Sequence, residues 1–209
     1  MRVQALRRRL RQLTLCGAAA LLLIACDSGS GAHAPAFRNT VIAQTAAEGF
    51  GRDFSLTDHN GQPRHLADYK GKVVVLFFGY TQCPDICPTT LANMAEAMRV
   101  LGAESARVQV LFITLDPERD TRQLLATYVP AFHPSFIGLF GDVAATAAAA
   151  HEFKVFYQKQ PGSTPNNYSI DHTANSYIYD PQGHLRLYVK HGETPDHIAA
   201  DIRLLLAGK

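Results

Sequence analysis

Cysteine is scarce in this sequence: four residues in 209, at positions 16, 26, 83 and 87. The first two fall in or at the edge of a leader, which leaves two thiols for the folded part. A structural zinc knuckle needs four ligands, usually a second Cys or His pair at short spacing, and no third mature thiol is there to supply it. Long apolar runs are lacking too. The single candidate, residues 13–25, is shorter than the roughly 20 residues a helical membrane span needs. No basic stripe of the kind that follows nucleic acid is present, nor any internal repeat. At neither Cys83 nor Cys87 does the Pro-x-x-x-Thr-x-x-Cys pattern of a peroxidatic cysteine occur.

What the N-terminal region does contain reads as a bacterial export signal over residues 1–25. Arg2, Arg7, Arg8, Arg9 and Arg11 precede the apolar stretch from Leu13 to Ala25. The stretch ends in Leu23-Ile24-Ala25-Cys26, which looks like a lipobox, the cleavage signature after which the cysteine takes lipid on its sulfur and amino group. An ordinary secretory signal or an uncleaved anchor is the plainer alternative, but the small residue before Cys26 sits where a cleavage site belongs. A lipidated Cys26 would exceed the two lipid signals that stable anchoring requires. Asp27 resembles the signal by which some Gram-negative bacteria retain lipoproteins at the inner membrane. The expected location is therefore the periplasmic face of that membrane. Loss of the five leader arginines leaves fifteen basic residues against eighteen acidic ones, a net charge of −3, so the formal +2 belongs to the leader. No nucleic-acid partner is expected.

Residues 26–49 are Ser, Gly, Ala, His and Thr with scattered apolar side chains and no period, and they read as a flexible tether. With 47% hydrophobic residues the remainder, 50–209, can bury one core. Phe54 to Leu56 and Arg64 to Leu66 flank an Asn60-Gly61 turn, which predicts a β-hairpin. Val73 to Phe78 is an apolar run of strand formers, suited to a strand buried on both faces. After Pro88 the positions Leu91, Met94, Ala95, Met98 and Leu101 predict a helix. A strand at Val108 to Thr114, a helix from Thr121, a strand at Phe136 to Phe140 and a helix from Asp142 follow. The Pro/Gly/Asn-rich segment from Gln158 to Asn167 reads as a long loop. Ala174 to Tyr179 and Leu185 to Lys190 form a hairpin about Pro181-Gln-Gly183, and Pro195 to Leu206 is an amphipathic helix. This order predicts an α/β chain of thioredoxin-like fold, with an N-terminal β-hairpin and inserted elements near Phe136 to Phe153.

Cys83 and Cys87 thus lie in a strand-to-helix turn, four residues apart, where a helical turn would put both sulfurs on one face. A helix N-terminus favours anions, so at least one thiol is expected to be partly thiolate. Thiolate is both a nucleophile and a soft metal ligand. A purely structural disulfide would close a loop too short to stabilise the fold much. Two thiolates with one imidazole suit copper, and the residues alone leave copper binding and disulfide exchange equally open.

The segment Phe78-Gly-Tyr-Thr-Gln-Cys83-Pro-Asp-Ile-Cys87-Pro88 resembles the signature of the Sco family, also called SenC/PrrC, of membrane-anchored copper proteins that assist cytochrome oxidase assembly. Thr114-Leu-Asp116-Pro-Glu-Arg-Asp-Thr121 is similar to a second family motif. Asp171-His172-Thr173 matches the segment that holds the family's histidine ligand. The likeness runs in order from Phe50 to the C-terminus. It implies that Cys83, Cys87 and His172 bind one copper ion, Cu(I) or Cu(II), for the dinuclear copper centre of cytochrome c oxidase subunit II or for another copper protein. It also implies an alternative, in which Cys83 and Cys87 form a redox-active disulfide and the protein is a thiol-disulfide oxidoreductase, so enzymatic activity is left undecided. Asp116 is either a turn former, as Asp-Pro pairs are, or a carboxylate acting behind the site. Of the remaining histidines, His133 and His151 are the candidates for auxiliary copper ligands. His33, His59, His65, His184 and His197 read as surface residues, and His191 as the end of the last strand.

Overall fold

Val73-Val-Val-Leu-Phe-Phe-Gly79 carries no polar side chain, and in the computed structural model of the chain all seven residues are buried. The structure describes residues 36–42, 49–164 and 167–209. The expected signal peptide, Cys26, His33 and most of the expected tether lie outside the described residues. In chain order the elements are β1 (Thr40–Val41), β2 (Leu56–Asp58), β3 (Pro63–Arg64), β4 (Val73–Gly79), α1 (Ile86–Leu101), β5 (Val108–Thr114), α2 (Arg122–Tyr128), β6 (Ile137–Phe140), α3 (Val143–Glu152), β7 (Tyr157–Thr164), β8 (Asn167–His172), β9 (Ser176–Tyr179), β10 (Leu185–Val189) and α4 (Pro195–Leu206).

Among the described residues, eight strands form one sheet in the order β1, β10, β9, β4, β5, β6, β2, β3, while β7 and β8 pair only with each other. Strands β4, β5 and β6 run parallel, and β9 joins β4 antiparallel. Successive side chains of β4 point to opposite faces. Val73, Val75 and Phe77 pack with Leu91, Met94 and Met98 of α1 and with Ile198, Ile202 and Leu205 of α4. Val74, Leu76 and Phe78 pack with Ala149, Phe153 and Tyr177 on the other side. Each such side chain contributes about 1.5–3 kcal/mol by leaving water, so β4 is fixed from both faces and its end is a rigid place for a site. This is the expected thioredoxin-like α/β architecture.

Helix starts fall where capping residues put them. Thr121 accepts from the Leu124 N–H, Asp142 from the Ala145 N–H, and Thr194 from the His197 N–H, with Pro195 in the first turn. The N-terminal hairpin is also present, shifted by about two residues. Its turn is organised by the buried carboxylate of Asp58, which accepts from the N–H groups of Asn60 and Gln62 and from Arg64 Nε. Antiparallel pairing with β6 places this hairpin at the sheet edge.

Three expectations are corrected. The segment 158–167 is not a loop: among its described residues, Gln158 pairs with Asp171, Lys159 with Ile170 and Pro161 with Tyr168. Pro161 and Gly162 suggested a break, yet a proline is tolerated in a lone ribbon whose outer edge needs no donor. Its largely exposed side chains offer no alternation to read. The tether reading of 26–49 fails in part, since Thr40 and Val41 pair with Tyr188 and Leu187. The buried carboxylate of Asp201 in α4 pins the chain just before them, accepting from the Arg38 N–H at 2.7 Å, the Asn39 N–H at 2.8 Å and Asn39 Nδ2 at 2.9 Å. Finally, the strand expected from Ala174 begins at Ser176 as β9, and His172 ends the preceding strand, β8. Among the described residues no helix is long and apolar enough to cross a membrane.

Candidate metal centre

The site grows from the end of β4. A Cβ at Gly79 would lie 2.8 Å from Cys87 Sγ and 2.8 Å from Phe112 Cε2, so only glycine lets the sulfur rest against the strand. The next residue, Tyr80, is buried. Thr81 is then held by Asp120, whose carboxylate accepts from the Thr81 N–H at 3.0 Å, the Thr81 hydroxyl at 2.5 Å and the Thr114 hydroxyl at 2.6 Å. The Cys83 N–H donates to the Tyr80 carbonyl. Cys83 is half-buried on the turn, and Cys87, in the first turn of α1, is fully buried; both are free thiols.

His172 faces them from β8. Its Nδ1 lies 2.9 Å from the Thr173 carbonyl oxygen, which can only accept, so Nδ1 carries the proton. The lone pair is left on Nε2, 3.7 Å from Cys87 Sγ. The ring stands edge-on to Phe77 and Tyr80, with centroids 6.2 and 6.1 Å away. Together Tyr80, Cys83, Pro84, Ile86, Ile170 and His172 line a cleft of about 510 Å³. A larger cleft of about 660 Å³, between Phe54 and the alanines of α3, contains no thiol; its Arg52 pairs with Glu152, and His65 Nδ1 lies 3.3 Å from Asp53 Oδ2.

The two sulfurs are not equivalent. The Cys87 thiol donates a hydrogen bond to Cys83, and this, helped by the N–H groups of Cys87 and Asp85 at the start of α1, pulls the Cys83 thiol down to about 3 against the opposing effect of burial. Cys87 is pushed well up, because it is the donor to a thiolate and is itself buried. The resting pair is therefore one thiolate and one thiol sharing a proton. Cys83 is the accessible nucleophile, and deprotonation of Cys87 would give a second soft donor beside the Nε2 lone pair. Among the described residues no group of three or more His, Cys, Asp or Glu side chains already encloses an ion position. The three donors adjoin without forming a closed cage.

Asp116 is fully buried after β5, where it takes an ion pair from Arg119 and a 2.7 Å hydrogen bond from the Tyr168 hydroxyl. His133 bonds to Ser135, and His151 sits in the last turn of α3; neither lines the cleft. The structure thus brings Cys83, Cys87 and His172 together and leaves the two auxiliary histidines apart. Sequence reasoning missed Gly79 and Asp120. Both stand inside the motifs quoted above, Gly79 two residues before Thr81 and Asp120 four residues after Asp116, but their roles depend on contacts that only the fold creates.

The chain was compared with known proteins. The model of the SCO1/SenC family matches residues 42–207. The mitochondrial SCO2 homologue of Mus musculus is 40% identical over 172 residues, covering 81% of this chain. The chain spans 64 to 67% of the length of the mammalian SCO2 relatives it matches. Among solved structures, copper-bound ScoI of Bradyrhizobium japonicum is 38% identical with a TM-score of 0.69, covering 75% of this chain and 99% of its own. Apo Sco1 of Thermus thermophilus is 39% identical with a TM-score of 0.73, covering 83% and 99%.

Proposed function

This chain belongs to the SCO1/SenC family, and we propose from that premise that it is a copper carrier for cytochrome c oxidase assembly. It binds one copper ion through Cys83, Cys87 and His172 and passes it by ligand exchange to the dinuclear centre of oxidase subunit II. The observation that carries this reading is the 3.7 Å separation of Cys87 Sγ and His172 Nε2. Two ligands sharing one ion at sulfur and nitrogen bond lengths of about 2.3 and 2.0 Å, the values for zinc, stand about 3.5 Å apart at a tetrahedral angle and about 3.7 Å apart at a trigonal one. The donor set is soft, as copper prefers, and the Nδ1 bond to Thr173 orients the imidazole as outer-shell partners of metal ligands do. Cys83 supplies a thiolate at once. Cys87 gives up its proton on binding, and Cys83 closes over the ion from the exposed turn. Lipidation at Cys26 holds the carrier on the periplasmic face of the inner membrane.

The test is anaerobic titration of the reduced protein with Cu(I) and with Cu(II). One copper per chain is expected, with affinity that falls in His172→Ala; unchanged affinity in that variant removes the histidine from the site.

A second reading, thiol-disulfide oxidoreductase, is favoured by the accessible Cys83 thiolate standing in front of the buried Cys87 thiol. Cys83 attacks a partner disulfide, forming a mixed disulfide and releasing one partner thiolate. Cys87, deprotonated, then attacks Cys83 and releases the second, leaving the partner reduced by two electrons and the pair oxidised to a disulfide. Cys87→Ser traps the mixed disulfide if this reaction operates, and no trapped partner in oxidase-assembling cells sinks it.

A further inference from the structure

We infer that Tyr168 is a positioning residue for His172, set by Asp116 and Arg119, and that through it the turn after β5 decides where Nε2 points. The placement of the ring stands by itself; the consequence for copper rests on the carrier reading above.

The histidine is carried by a hairpin that needs outside support. Among the described residues, β7 and β8 pair with each other and with no strand of the main sheet, and a lone two-stranded ribbon is marginal in water. Most of its side chains are exposed. Its docking converges on Tyr168. The hydroxyl donates to Asp116 Oδ1 at 2.7 Å, and Arg119 Nη1 donates to the Tyr168 carbonyl at 2.9 Å. The Arg119 guanidinium lies 3.5 Å from the ring centroid, and Lys159 Nζ lies 4.8 Å from it. Lys159 in turn pairs with Glu118 at 2.6 Å.

Strand geometry transmits this grip. Side chains two apart share a face, so Tyr168, Ile170 and His172 point the same way along β8. Ile170 is buried between the other two, and its N–H reaches the Tyr80 hydroxyl. Fixing Tyr168 therefore fixes the rotation of β8 at His172, about 13 Å further along. Asp116 suits the purpose because it cannot follow a moving hairpin. It is fully buried, its own N–H is tied to the Thr114 hydroxyl, and it stands two residues past the end of β5, a strand locked into the sheet.

Tyr168→Phe is the informative variant, since it removes only the hydroxyl and keeps the ring under Arg119. A hydrogen bond to a charged group is worth about tenfold or more. Copper affinity of the full reduced chain is expected to fall about tenfold in Tyr168→Phe, with a shift in the copper–thiolate absorption. In a His172→Ala background, adding Tyr168→Phe is expected to change nothing further. The copper-free protein gives an independent readout, because the 15N signals of the His172 ring report its orientation whether or not metal binds. Equal loss in both backgrounds, or unchanged affinity with unchanged ring signals in Tyr168→Phe, overturns the inference. Shifted ring signals in a chain that binds no copper uphold the positioning role and overturn the carrier reading instead.

Discussion

Asp116 and Asp120 stand four residues apart on one turn and hold opposite halves of the site. Asp120 bonds the backbone and hydroxyl of Thr81, at the start of the cysteine turn. Asp116 bonds Tyr168 of the strand that ends in His172. The thiols and the imidazole come from segments 85 residues apart, and the turn after β5 sets their relative placement.

The Asp120 half of that relationship predicts a stability loss. Its carboxylate accepts from three donors, and Asp120→Asn, the same shape, offers one oxygen and brings two donors of its own. At least one buried donor is then unsatisfied, at a cost of about 1–3 kcal/mol. Urea unfolding of the reduced protein is expected to show a lower midpoint with an unchanged slope, and copper affinity is expected to fall with it.

Gly79 predicts a local clash. In Gly79→Ala the methyl group meets Cys87 Sγ and Phe112, both fully buried and backed by core. Overpacking of this kind costs about 1–3 kcal/mol. Because one of the displaced atoms is a proposed ligand, the variant is expected to lose copper affinity beyond what its stability loss accounts for. A titration at a temperature where the variant is fully folded checks this.

The thiol pair predicts a pH profile of stability. Unfolded, both thiols titrate near 8.5; folded, the Cys83 thiol is pulled down to about 3 and Cys87 is pushed well up. The Cys83 contribution is full above the unfolded range and is lost as pH falls through its lowered folded pKa. The Cys87 contribution has the opposite sign, present below the unfolded range and lost as pH rises. Between about 3 and 8.5 the folded pair binds one proton and the unfolded pair two, so stability from the pair rises with pH; above about 8.5 it falls. The unfolding free energy of wild type minus that of the Cys83→Ser, Cys87→Ser double variant is expected to peak near pH 8.5. A difference that stays flat from pH 5 to 10 contradicts the assigned charge states.

The same pair predicts reactivity. Alkylation of Cys83 by iodoacetamide is expected to stay nearly constant from pH 8 to pH 5, because the thiolate is already formed. In Cys87→Ala the donated proton is missing, and the rate is expected to fall steeply with acidity, as it does for an ordinary thiol.

Much of this was legible in the sequence, for identifiable reasons. β4 is an unbroken apolar run, β5 is apolar from Val110 to Ile113, and α2, α3 and α4 start at capping residues, so their positions follow from local chemistry. Cys83 and Cys87 were isolated by the scarcity of thiols. His172 was reached through the family resemblance and its place before the strand expected from Ala174, on the edge that faces the cysteine turn in a thioredoxin-like fold, since residue type alone does not distinguish one histidine among nine. The β7–β8 hairpin stayed hidden because β7 is largely exposed and Pro161-Gly162 imitates a loop. Asp120 stayed hidden because its partner Thr81 is 39 residues away. β1 is two residues long and is held by Asp201, some 160 residues on, so no local pattern could reveal it.

That last clamp alters how far a carrier anchored at Cys26, as proposed, can search. From Cys26 to Arg38 the chain is twelve residues long, against twenty-four to Phe50, so the greatest distance it can span falls from about 80 Å to about 40 Å. Effective concentration scales roughly as the inverse three-halves power of leash length. Closing β1 with Asp201 would therefore make a recipient embedded in the same bilayer about threefold more accessible, and one further out in the periplasm less so.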